Sequence, residues 1–188
     1  MMLKTKYSCI EFNGELLNPS FSIYLFEIIK AKDQTYFYVG MTGDNHYPPA
    51  RSILHRLGGH IDLSIKSTQS QLIIAIKALF KKKKEDHLSS EQLSSLTIKL
   101  HHWPIDGFAR WDGDMKSIDK NDSQYHTYIS LRNRVAALEN KIIKDFTAQN
   151  LLNKTRGNSI ASLNDAELII FNAIEKIIKQ SNRNIKEL

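Results

Sequence analysis

Five side chains of this 188-residue sequence could carry proton-transfer or phosphate chemistry if a fold brought them together: Tyr24, Tyr38, Arg56, His60 and Glu139. Glu139 lies within one helical turn of Val135, Ala136, Ile142 and Ile143, on the apolar side of a predicted helix. A carboxylate there must be neutralised, paired or bound to a cation. Arg132 and Lys141 are the ion-pair alternatives to a cation. Arg56 stays ionised and can bind phosphate oxygens in pairs, or it is a surface arginine on a short helix. His60 suits proton transfer, with an ordinary core or surface histidine as the alternative, and the nearby His55 stands in reserve. A tyrosine, with its ordinary pKa of about 10, acts as a base only where cations favour the phenolate. Without them Tyr24 is a strand aromatic under a helix. Both tyrosines reach one sheet face only if even-numbered residues pair with even, for instance Phe26 opposite Tyr38.

The elements that must position these groups follow from periodicity and turn chemistry. Phe21 to Ile29 and Thr35 to Met41 are rich in aromatic and β-branched residues around a short polar connection, which predicts a β-hairpin. A helix is expected from about Pro49 to Leu57, stopped or loosened by Gly58-Gly59. Ser67 to Lys84 places Leu72, Ile73, Ile76, Leu79 and Phe80 at helical spacing and ends in Lys81, Lys82, Lys83 and Lys84. Those lysines complement a helix dipole in the last turn or contact a polyanion. Leu96 to Trp103 alternates as a third strand, and Pro104 to Asp122 carries turn residues without a period, so it reads as a long loop. Ser123 to Gln149 has the clearest helical stripe. A last helix, about 164–180, follows Ser162 or Asn164, where Asn164 and Glu167 form a predicted capping box, and Ser181 to Leu188 should fray. The expected fold is mixed α/β (α+β): one domain with a small antiparallel three-stranded sheet flanked by helices.

Composition narrows the function classes. Hydrophobic residues at 41% and charged residues at 24% are ordinary for a globular protein. Cys9 is the single cysteine, so no internal disulfide or cysteine-rich zinc cluster can form, which fits a reducing cytoplasmic compartment. Charges break both long apolar runs, and neither a membrane span nor a secretory leader is expected. The net charge of +6 is concentrated between Arg51 and Arg110, a field that a nucleic acid would feel. No Walker A loop or Rossmann glycine pattern occurs, so no nucleotide cofactor is expected. His101-His102 and His126 lack zinc-ligand spacing.

Ser22-Ile23-Tyr24, then Tyr38-Val39-Gly40 with Thr42, then Arg56 and His60 four residues apart, then Glu139 and Asn153, form an ordered set that resembles the GIY-YIG nuclease superfamily. The core of the resemblance runs over about 20–156, with an insertion over about 62–122, and Ser22 stands where the family name has Gly. The resemblance implies a metal-dependent DNA endonuclease with one magnesium or manganese ion per site, held by Glu139 and waters. Tyr24 would activate water, Arg56 would stabilise the scissile phosphate, and His60 would orient water or Tyr24. Tyr38 belongs to the same catalytic set, and Gly40 is expected as a structural turn. Asn153 would tether backbone or phosphate, while Lys154 and Arg156 would grip flanking phosphates; Lys81 to Lys84 lie in a segment unusual for the family and are nucleic-acid candidates by their charge alone. The products would be a 5′-phosphate and a 3′-hydroxyl, and double-strand cleavage would need a homodimer or sequential nicking. A non-catalytic nucleic-acid-binding module on the same scaffold, or an RNA-directed nuclease, is the alternative.

Overall fold

The structure, a computed structural model, describes residues 10–31, 34–43, 50–63, 70–105, 119–147, 149–153 and 162–183. Three strands, β1 (Ser22–Ala31), β2 (Gln34–Met41) and β3 (Thr97–Pro104), form an antiparallel sheet in the order β2-β1-β3. The central position of β1 explains its sequence. Every residue from Phe21 to Ile28 is buried, because helices cover both faces of the sheet. The hairpin register pairs Phe26 with Tyr38 and Tyr24 with Gly40, the even-to-even pairing that puts both tyrosines on one face.

The described residues hold five helices: α1 (Ile53–His60), α2 (Gln71–Leu79), α3 (Ser90–Ser94), α4 (Ser123–Phe146) and α5 (Asp165–Arg183). Tyr24, Phe26 and Ile28 pack on one face with Ile53 of α1 and Leu72, Ile73 and Ile76 of α2. Ile23, Leu25, Phe37 and Val39 pack on the other with Val135, Leu138 and Ile142 of α4 and Ile170, Ile174 and Ile178 of α5. The fold is therefore mixed α/β with helices on both sides of a three-stranded antiparallel sheet. No helix among the described residues is long and apolar enough to cross a membrane.

Several boundaries differ from expectation. α1 starts at Ile53, behind Ser52, whose hydroxyl accepts the His55 N–H at 3.2 Å, and it runs through Gly58 to His60. The glycines do not end it, since burial of Ile53 and His60 outweighs the helix-propensity cost of about 1 kcal/mol per glycine. α2 ends at Leu79, so the four lysines lie in the turn beyond it rather than in its last turn. The expected 62–122 insertion is no appendage, because it supplies α2, which seals the Tyr24 face, and β3. The Asn164/Glu167 capping box forms, with both reciprocal bonds at 2.9 Å, and α5 runs on to Arg183. Much of the expected Pro104 to Asp122 loop, 106–118, lies outside the described residues, as do 184–188.

Beyond α4, the chain doubles back along the outer edge of β2. Phe37 donates to the Asn150 carbonyl at 3.0 Å and accepts from the Leu152 N–H at 2.7 Å, a parallel bridge centred on Leu151. Ser22 latches the opposite end of the hairpin. Its N–H donates to the Thr42 hydroxyl at 2.8 Å, and the two hydroxyls lie 3.0 Å apart.

Candidate active site

The arrangement begins with the sheet register. Tyr24 is fully buried and its phenol lies across Gly40, where an added Cβ would overlap the Tyr24 hydroxyl and Cζ and come within 2.5 Å of Cε2. Gly40 is thus a position within β2 rather than a turn, and its missing side chain is what admits the Tyr24 ring. The uninterrupted α1 then sets Arg56 and His60 one turn apart on one face. Nε2 of His60 lies 2.5 Å from the Tyr24 hydroxyl. Three aromatic rings surround the imidazole edge-on, Tyr24 at 5.6 Å, Phe26 at 5.9 Å and Tyr38 at 5.5 Å, and leave it 3% exposed.

Burial dominates the electrostatics. It pushes the Tyr24 phenol above its ordinary range, against the nearby Arg56 guanidinium, which favours phenolate. Tyr38 is pushed up to about 12, by burial first and then by the Glu139 charge. His60 is pushed down to about 4, by burial and then by Arg56. The Glu139 carboxyl is pushed up to about 7 by burial, with Arg56 acting in the opposite direction. At neutral pH the set is therefore two phenols, a neutral imidazole, a guanidinium and a carboxyl near its midpoint. Nε of Arg56 and Nδ1 of His60 are buried without a hydrogen-bond partner. Each can serve a ligand that brings its own acceptor.

Glu139 reaches this group from α4, whose apolar side packs on the opposite face, and it acts electrostatically on both tyrosines. Lys141, one of its expected ion-pair partners, instead pairs with Asp145 at 2.8 Å. No three His, Cys, Asp or Glu side chains converge among the described residues. A cation at this point would therefore take the Glu139 carboxylate and complete its coordination with water and phosphate oxygens.

The other expected contacts are placed differently. Asn153 turns its amide onto β2, accepting the Val39 N–H at 3.0 Å and donating to the Val39 carbonyl at 2.8 Å, so it tethers backbone between Tyr38 and Gly40. Lys81 to Lys84 are exposed at the far end of α2, away from the tyrosines. Lys154 and Arg156 lie outside the described residues. His55 is exposed, with its Nε2 3.4 Å from an Arg51 guanidinium nitrogen, and it takes no part in the buried cluster. One neighbour is not signalled by any motif in the sequence. His102 on β3 pairs directly with Tyr24, its Nε2 is buried without a partner, and burial lowers its pKa. The alternation of β3 held a weaker signal, since Leu100 and His102 share the face of Phe26 and Tyr24. Comparison of the chain with known protein families, curated proteins and solved structures finds no match.

Proposed function

We propose that this chain is a metal-dependent endonuclease of GIY-YIG type that hydrolyses DNA phosphodiester bonds. The observation that supports this reading best is the 2.5 Å contact between the Tyr24 hydroxyl and Nε2 of a neutral, buried His60. A neutral imidazole accepts the phenolic proton. Because burial disfavours a free Tyr24 phenolate, proton transfer through the phenol is the route that avoids one. As the water oxygen bonds to phosphorus, its proton passes to the Tyr24 oxygen and the phenolic proton passes to His60. The bond to the 3′ oxygen breaks, and that oxygen takes a proton from solvent, leaving a 3′-hydroxyl and a 5′-phosphate.

Arg56 would bind the scissile phosphate, whose oxygens satisfy its buried Nε–H. This contact also tunes the acceptor. Arg56 lowers the His60 pKa, so a phosphate that neutralises the guanidinium makes His60 a better acceptor when substrate is in place. Glu139 would hold one magnesium or manganese ion, which when bound stabilises the leaving oxygen. A carboxyl raised by burial to about 7 fits that task, since a cation beside it favours the carboxylate.

The test is supercoiled plasmid incubated with wild type, Tyr24→Phe and Glu139→Ala, in magnesium, manganese or EDTA. Wild type should nick or linearise the plasmid, EDTA should stop it, and each variant should be slower by about 10²-fold or more. Wild type that leaves plasmid and labelled RNA intact in both metals would sink the enzyme reading in favour of a binding module. Cleavage of RNA alone would move the substrate class.

A further inference from the structure

The four-lysine turn after α2 is built, not frayed. Lys81 N–H donates to the Ala78 carbonyl at 3.0 Å, and Lys82 N–H to the Lys77 carbonyl at 2.9 Å. Lys83 N–H donates to the Asp86 carboxylate at 2.7 Å. The ammonium of Lys77, a residue only 4% exposed, donates to the Lys84 carbonyl at 2.7 Å. From the sheet, Lys30 donates to the Leu79 carbonyl at 3.1 Å and lies over the Phe80 ring at 4.7 Å. The arrangement has costs: Lys81 sits at φ 56, a left-handed conformation unfavourable to a side chain, and Lys77 buries an ammonium beside Ile73 and Ile76. An apolar residue would suit the Lys77 position better if only the core mattered. What the costs secure is a fixed backbone turn that presents four exposed lysine side chains, none of them in an ion pair among the described residues.

The position of the turn relative to the candidate site follows from β1. Lys30 reaches Leu79 and Phe80, which pack on the Tyr24 cluster, and stands six residues from Tyr24 along β1, so roughly 20 Å separates them at about 3.3 Å per residue. That distance is about six base pairs of duplex. A rigid duplex can meet two fixed points without the ordering cost that a flexible single strand carries. We infer that the Lys81–Lys84 turn is a second phosphate-binding platform, held in shape by Lys77, for an extended duplex whose phosphodiester lies at Arg56, the partly exposed neighbour of buried Tyr24. The identity of this partner rests on the nuclease reading.

Fluorescence anisotropy in EDTA reads binding without cleavage, using a short duplex stem of about 5 base pairs closed by a phosphate-free linker, which cannot span the two points, a long duplex of about 24 base pairs and the matching long single strand. Replacing all four lysines with alanine should weaken binding of the long duplex at least tenfold. It should reduce the salt slope by about three to four, at about 0.9 for each phosphate that is no longer neutralised, and leave the short duplex almost unchanged. Lys77→Met keeps every exposed lysine, so a smaller drop of the same kind, in protein whose circular dichroism matches wild type, identifies the held shape as the cause. Equal weakening on short and long duplex, an unchanged salt slope, or equal binding of the single strand would overturn the platform. So would lysine-dependent binding to phosphatidylserine vesicles without duplex binding. Long-duplex binding that disappears with the lysines, in a protein that never cuts plasmid, would keep the platform and reject the nuclease.

Discussion

At the scale of the residue, one buried environment moves two groups in opposite directions. Glu139 is raised from 4.5 to about 7 and His60 lowered from 6.5 to about 4, because burial penalises whichever form is charged. The consequences for stability have opposite signs. Between about 4.5 and 7 the folded state holds the Glu139 proton more tightly than the unfolded state, so this group's contribution to stability falls as pH rises. Between 6.5 and about 4 the unfolded state protonates the histidine first, so stability falls as pH drops. Glu139→Gln removes the first effect and exposes the second. In EDTA its Tm should exceed that of wild type at pH 8 by several degrees, reflecting about 1–3 kcal/mol, and hardly differ at pH 5. The variant's own Tm should climb with pH from about 4 to 6.5, following His60. An equal Tm difference at both pH values, read by calorimetry, would show that Glu139 carries no burial penalty.

At the scale of the element, two glycines of similar appearance in the sequence do unlike work. A Cβ at Gly58 would meet nothing within 4 Å, so Gly58→Ala should stabilise α1 by about 0.5–1 kcal/mol in chemical denaturation and leave cleavage unchanged. A Cβ at Gly40 would collide with a ring anchored in the core, so Gly40→Ala should cost about 1–3 kcal/mol. It should also lower cleavage far more than the reduced stability explains, by displacing the phenol from His60. Gly40→Ala that cuts plasmid at the wild-type rate would separate the ring's placement from catalysis. The contrast shows what was legible in the chain. The hairpin register was a condition set by the site, that both tyrosines share a face, and not a reading of local pattern; the hairpin itself was readable from its two aromatic and β-branched runs. Continuation of α1 through Gly58 was not, since burial of His60 overrides local propensity. α3 escaped because five residues show no period, and the Phe37–Leu151 bridge because its partners are distant in sequence and carry no pairing signal. β3 was found from alternation, although Ile98, on the apolar side of that alternation, is 41% exposed on an edge strand that the helices cover incompletely.

At the scale of the whole molecule, the candidate site belongs to both layers. Tyr24 and Phe26 sit under α1 and α2, and His60 is the last residue of α1, whereas Glu139 is carried by a helix whose buried residues pack on the reverse face. The two layers meet through β1, buried on both sides, and through the segment after α4, where Asn153 holds the Val39 backbone beside Tyr38. Damage to either core should therefore be felt as damage to the same structure. Ile73→Ala removes apolar packing above the sheet and Ile142→Ala removes it below, each at a cost of about 2–5 kcal/mol. Both should lower one shared thermal transition, with far-ultraviolet dichroism, dominated by α4 and α5, melting together with tyrosine near-ultraviolet dichroism, which reports Tyr24 and Tyr38 among others. If Ile142→Ala melted the helical signal while the tyrosine signal persisted to higher temperature, the layers would be separate folding units. The shared β1 would then not couple Glu139 to the tyrosines. Coincident curves in both variants mean that the carboxylate and the phenol are held by a single cooperative fold, so a substitution on the far face acts on the site through stability before it acts through chemistry.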